Sequence, residues 1–223
     1  MIFGIPGQTT QIWKNDLEAI AAIEPEHIST YSLTVEKQTP LYHLVDLNKI
    51  KMPHEKIDLE MFNYTIDFLT KKNYVQYEIS NYSKPNKECR HNLHYWNRDP
   101  YISFGPSAHG FSKNIRYWNT RDLNKYMQNL NRGQLPDHES EILNKENVFN
   151  EFILNSIRLN TGININKIER EFNKKTQTKI LNIAQDWGNH LIIKNNTIKL
   201  SKKGMAIADK ITLDLASSFT KDS

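Results

Sequence analysis

Met1-Ile2-Phe3-Gly4-Ile5-Pro6-Gly7-Gln8-Thr9 opens the chain with an apolar run that stops on glycine and proline. This pattern reads as a buried strand running into a loop. Domains seldom begin flush with a core strand, so the chain is expected to be a piece of a longer protein. Thr9 or Thr10 is placed to cap a helix that carries Ile12, Trp13, Leu17, Ile20 and Ala21 on one side. A strand over 27–34 follows, then a polar turn ending at Pro40, and a helix over 54–71 with Ile57, Met61, Tyr64, Phe68 and Leu69 at helical spacing. A strand is expected over 74–79 and a short one over 101–104, just before Gly105-Pro106-Ser107-Ala108-His109-Gly110.

Strands alternating with helices are the pattern of parallel α/β crossovers. A closed barrel of eight such units takes ~250 residues, so the fold class is α/β with a partial (β/α) barrel. A helix over 121–132 ends at Gly133, and Pro136 marks a linker over 136–144 that divides a first domain, 1–135, from a second, 145–223. Beyond it come helices over 145–159, 165–173 and 175–187. A hairpin joins 191–194 to 197–200 across Asn195-Asn196, and a last helix covers 203–216. Helices, a hairpin and a helix make a winged-helix-like layout.

The chain has 223 residues, 38% of them hydrophobic and 24% charged, which is a globular balance. No apolar run approaches the ~20 residues that cross a bilayer, so no integral membrane segment is expected. The single cysteine, Cys89, excludes an internal disulfide and suits a reducing cytoplasm. The formal net charge of +4 sits mostly on the C-terminal third.

Arg90-His91-Asn92-Leu93-His94-Tyr95-Trp96 concentrates the side chains that a planar, anionic, metal-bearing ligand uses: imidazole for iron, aromatic faces for stacking, guanidinium for carboxylates. The same residues are equally suited to tying down a loop and filling a cavity mouth. A rival metal reading joins Cys89, His91, His94 and His109 around zinc. A separate possibility is duplex binding through Lys194, Lys199, Lys202 and Lys203 of the hairpin wing. That wing carries no arginine for guanine readout, and Glu169 and Glu171 burden the candidate recognition helix, so no nucleic-acid partner is expected.

Six ordered stretches carry a resemblance: IFGIPGQT (2–9), ISTYSLTVEKQTP (28–40), YEISNYSKP (77–85), HNLHYW (91–96), FGPSAHG (104–110) and RYWN (116–119). In this order they resemble the latter half of the radical SAM proteins of the oxygen-independent coproporphyrinogen III oxidase-like family. HNxxYW is similar to the mark of its HemW haem-chaperone subgroup. The resemblance implies a barrel that holds S-adenosylmethionine and a [4Fe-4S] cluster, and a role in porphyrin metabolism. That role is either haem binding and delivery to haem-accepting proteins or oxidative decarboxylation of coproporphyrinogen III.

It also implies that His91, Asn92, Tyr95, Trp96 and His109 face haem or substrate, with His91 on the haem iron. Gly4, Pro6, Gln8, Tyr31 and Thr34 would form a rim facing S-adenosylmethionine. The family's CxxxCxxC motif is absent, and one cysteine cannot provide three thiolate ligands. The chain is therefore expected to be a C-terminal fragment with no catalytic residue of its own and no radical activity. An open barrel edge would favour a homodimer.

Overall fold

The computed structural model describes residues 1–220; the last three residues of the expected second domain lie outside the described residues. Strand β1 (Ile2–Phe3) buries Phe3 and enters helix α1 (Thr10–Ala22) through the loop at Gly4–Gly7. Thr9 caps that helix, its side chain accepting from the Ile12 N–H at 3.2 Å. Trp13, Leu17 and Ala21, spaced by four, form its buried face.

They meet Met61, Thr65 and Leu69 of helix α3 (Glu55–Lys71), also spaced by four. The Trp13 indole N–H donates to Thr65 Oγ1 at 2.8 Å, and that hydroxyl donates to the Met61 carbonyl at 2.7 Å. The buried polar atoms of this seam are thus paired. Phe3, Trp13, Leu17, Ile28, Met61, Leu69, Tyr74 and Tyr82 make one core. The short helix α2 (Pro40–Asp46), capped by Thr39 and started by its proline, was not expected; it buries nothing and so leaves no periodic signal.

The expected strand over 27–34 is split into β2 (His27–Ser29) and β3 (Tyr31–Ser32). Strand β3 pairs parallel with β1, as the crossover pattern requires. Strand β2 pairs antiparallel with β5 (Asn81–Ser83), which lies between β2 and β4 (Val75–Glu78). Strands β4 and β5 are joined through Ile79-Ser80 alone, and so short a link allows only antiparallel pairing.

The aromatic run becomes helix α4 (Arg90–Asn97). The strand expected over 101–104 is reduced to a bridge between Tyr101 and Phe111; Ile102 and Phe104 are exposed, because no strand lies alongside to extend the pairing. A meander that the sequence reading missed follows: β6 (His109–Ser112), β7 (Ile115–Asn119) and β8 (His138–Ile142), with helix α5 (Leu123–Asn131) between the last two. Strand β8 occupies most of the segment expected as a linker. Every residue of it is exposed, so it is held by backbone pairing to β7 and shows no hydrophobic alternation.

Helices α6 (Lys145–Arg158), α7 (Ile165–Glu171) and α8 (Lys174–Asp186) and strands β10 (Leu191–Lys194) and β11 (Thr197–Leu200) follow close to their expected positions, while the two-residue strand β9 (Ile163–Asn164), paired with β11, was not expected. Asn195 and Asn196, at φ 49° and 60°, turn the hairpin in the left-handed region. The expected last helix is two: α9 (Lys202–Met205) and α10 (Ala208–Ala216). At Gly204 the chain runs so close to the His190 carbonyl that an added Cβ would stand 2.1 Å from that oxygen.

Phe149, Ile153 and Ile157 of α6 pack with Ile168, Ile180, Ile198 and Ile211 in a second core. The two cores adjoin, since Phe62 touches both and Ile79 belongs to the second. Among the described residues, no helix is long and apolar enough to cross a membrane.

Candidate functional site

Helix α4 rests on a ladder of rings. His91 meets Tyr95 edge-on with centroids 4.9 Å apart, Tyr95 meets Tyr101 at 4.6 Å, and Tyr101 meets Phe111 at 6.2 Å. Tyr101 and Phe111 exchange backbone hydrogen bonds of 2.9 Å in both directions, which fixes the loop before β6 against the sheet. The Arg98 guanidinium closes the ladder 5.4 Å above the Phe111 ring. Spacing explains the arrangement: His91 and Tyr95 are four apart and share a helix face. Both remain accessible, His91 exposed and Tyr95 41% exposed.

His109 lies across a hollow of about 350 Å³ whose walls include Tyr95, Tyr101, Ile102, Phe104 and Ala108. Phe104, 81% exposed, and Ile102 give this hollow an apolar lip open to solvent. The structure therefore brings His109 and Tyr95 together, with His91 joined to them through Tyr95. The small residues beside His109 have a packing reason as well, since a Cβ at Gly110 would stand 2.1 Å from the Tyr117 ring.

Asn92 and Trp96 face inward to a polar cluster. Burial pushes the Tyr77 hydroxyl above its ordinary pKa, while hydrogen bonds from the Asn92 side chain and the Cys89 backbone pull it back. The same hydroxyl lies 2.8 Å from His27 Nε2. Burial holds the His27 imidazole below its ordinary value, so the unfolded chain takes up the proton more readily than the folded one. The contribution of His27 to stability is therefore intact above the ordinary imidazole range and declines as pH falls through ~6.5 toward the lower folded value. Denaturant midpoints measured across that window should fall less in His27→Gln than in the parent chain; parallel curves would refute the assignment.

Trp96 lies under the Arg158 guanidinium at 5.3 Å. Arg158 Nε in turn pairs with Glu78 Oε1 at 2.8 Å. The other Glu78 oxygen accepts from the Ser80 backbone N–H at 2.9 Å and from the Asn81 amide at 2.5 Å. Glu78, Asn81, Tyr77 and Arg158 were not singled out individually by the sequence reading. A glutamate between apolar neighbours in a strand was the available signal; the partner that explains it stands 80 residues away.

The zinc arrangement is not assembled. His94 Nδ1 lies 2.9 Å from Asp99 Oδ2, His109 tilts on Trp118, and among the described residues no group of three or more His, Cys, Asp or Glu is placed to hold a metal. The wing is partly neutralised, since Lys202 Nζ lies 2.5 Å from Asp67 Oδ1.

The expected cofactor rim is a separate place. The Gly4 N–H donates to Gln8 Oε1 at 2.9 Å, which closes the loop after β1. Gly4 lines a cavity of about 640 Å³ with Ser32, Asp58, Leu33, Phe62 and Met205. Pro6, Gln8, Tyr31 and Thr34 are not among its walls, and Tyr31 and Thr34 are exposed.

No family model matches the chain. The sequence is 24% identical to the haem chaperone HemW of Bacillus subtilis over 213 residues, 95% of this chain and 56% of that protein. It is 34% identical to HemW of Buchnera aphidicola subsp. Schizaphis graminum over 205 residues, 92% and 50% of the two chains. The fold matches Escherichia coli coproporphyrinogen III oxidase HemN, described as a radical SAM enzyme, with a TM-score of 0.72 at 17% identity, covering 97% of this chain and 54% of that one. The chain is similar in sequence to HemW haem chaperones and in fold to the radical SAM enzyme HemN. It spans about half the length of the curated relatives it matches. In this HemW-like chain the HNxxYW residues are those of α4, His91 to Trp96, and the FGPSAHG stretch is the loop that brings His109 to them.

Proposed function

We propose that this chain carries the tetrapyrrole-handling surface of a HemW-like haem chaperone, with His91 as the axial ligand of the haem iron. The observation that carries the reading is an accessible imidazole at the head of the ring ladder His91–Tyr95–Tyr101–Phe111. Tyr95 and His109 supply the hollow beside it, while Asn92 and Trp96 anchor α4 through Tyr77 and Arg158. An apolar lip, stacking rings and an exposed imidazole suit a flat metalloporphyrin held for transfer.

The split strands and helices belong, in this reading, to part of a (β/α) barrel followed by a winged-helix-like unit, the two meeting at Glu78–Arg158. The Gly4, Pro6, Gln8, Tyr31 and Thr34 region is proposed as the edge of an S-adenosylmethionine site in the longer protein. The residues of this chain do not fit a [4Fe-4S] cluster, for which Cys89 is the lone thiol, so no radical step is assigned to it.

Haemin titration followed at the Soret band tests the proposal. The parent chain should give saturable binding with a shifted band. His91→Ala should lose about tenfold or more in affinity, ~1.4 kcal/mol, whereas His94→Ala, already turned to Asp99, should change little. Equal binding by the parent chain and His91→Ala removes His91 as the ligand.

A further inference from the structure

A second recess adjoins the ring ladder and has a different chemistry. It encloses about 740 Å³ between the end of α4, the β6–β7 turn, α6, α7 and β11, with Trp96, Arg98, Lys113, Phe152, Lys167 and Thr197 among its walls. We propose that this groove binds carboxylates, and that it receives the acidic side arms of the macrocycle whose metal is held near His91. The inference rests on the tetrapyrrole reading above and extends it to a second set of residues.

Three observations carry it. The Trp96 indole N–H is buried and has no hydrogen-bond partner, although a buried donor is normally paired. The nitrogen is closed off from solvent, so a ligand's acceptor reaches it once the indole turns toward the groove.

The groove also contains three cations. Among the described residues Lys113 has no ion pair. It sits in a two-residue turn with Asn114, at φ 52° and 63°, which fixes its backbone at the groove wall. Lys167 is only 3.9 Å from Glu171 and lies 5.2 Å over the Phe152 ring. Arg98 approaches Glu151 at 3.3 Å and still faces the recess. Of the two acids of the groove, Asp99 is drawn to His94, while Glu171 is shared between Lys167, at 3.9 Å, and Arg170, at 3.6 Å, so Lys113 and Arg98 carry most of the positive charge.

Finally, the groove is continuous with the proposed haem surface. A small recess shares Tyr95 and Tyr101 with the His109 hollow, and Trp96, Arg98 and Phe111 with the groove. From His91 to Arg98 the chain climbs about 10 Å at 1.5 Å per residue. That reach matches a porphyrin ring with a carboxylate arm. Cations at one end and an imidazole at the other would also fix which edge of the ring enters.

The test compares haemin with its dimethyl ester, which keeps the iron and ring and removes both negative charges. Binding is followed at the Soret band and by tryptophan fluorescence in the parent chain, in K113Q/K167Q and in His91→Ala, with circular dichroism confirming that each variant is folded. Haemin should bind the parent chain at least tenfold more tightly than the ester, and K113Q/K167Q should lose most of that difference. Equal affinity for acid and ester in the parent chain overturns the carboxylate site, as does a preference that persists in K113Q/K167Q. If acid and ester bind alike and His91→Ala abolishes the band shift, the haem reading stands and this inference alone falls. If the acid preference is present and follows the lysines, but His91→Ala leaves binding unchanged, the groove stands and the axial assignment falls. Saturable binding of neither compound ends both.

Discussion

Arg158→Ala should destabilise the chain by about 3–5 kcal/mol, because it strands a carboxylate that has nowhere to go. Glu78 is 1% exposed, and Arg158 supplies its countercharge from the end of α6 at 2.8 Å. The remaining partners of Glu78 are the Ser80 N–H and the Asn81 amide, both neutral donors. Removing the guanidinium also uncovers Trp96, so α4 should loosen along with the junction between the two cores. For a chain of this length the change corresponds to a melting temperature lower by about 10 °C. Denaturant unfolding followed by tryptophan fluorescence gives the free energy. The companion variant decides the cause: Glu78→Gln together with Arg158→Ala should recover much of the loss, since the neutral amide oxygen still accepts from Ser80 and Asn81 and leaves no buried charge. A double variant as unstable as the single one would show that packing, and not the ion pair, holds the junction.

Phe149→Ala is the second large effect, about 3–5 kcal/mol. The ring is fully buried on α6, meets Phe172 edge-on at 4.9 Å and tilts against Phe219 at 5.5 Å. Helices α6, α8 and α10 close around it, so truncation opens a cavity that rigid neighbours cannot fill. Phe149→Leu, which keeps most of the volume, should cost less than half as much. Equal losses for alanine and leucine would point to the edge-to-face geometry with Phe172 as the dominant contribution. The haemin affinity of Phe149→Leu should match that of the parent chain, because the ladder on α4 does not touch this ring.

Local chemistry explains what was readable in the residues. The β10–β11 hairpin is legible because its strands flank Asn195-Asn196, which accept positive φ. Helices α1, α3 and α6 show their buried faces as apolar residues at spacings of three and four. The HNxxYW run was legible as chemistry, because a dense cluster of rings and imidazoles is unusual in any short stretch. Strand β8 was hidden, since it buries no side chain and is held by backbone bonds to β7. Strand β5 was hidden too, because Tyr74 to Ser83 is too short a stretch to separate two antiparallel strands by pattern alone.

The candidate site divides along the same line. His91 and Tyr95 share a face by spacing, and a sequence read as a helix places them together. His109, Arg98 and Lys113 reach the same surface only because β6 pairs with β7 and Tyr101 bridges to Phe111. Glu78 finds Arg158 across 80 residues, and nothing local to either residue announces it. The sequence by itself determined the amphipathic helices such as α1, α3 and α6, the hairpin turn and the aromatic-imidazole chemistry of α4, because each depends on neighbours within about one helical turn. Only the tertiary structure decided which rings line the hollow, where the carboxylate groove opens and which buried charge locks the two cores, because those depend on contacts made when distant segments fold against one another.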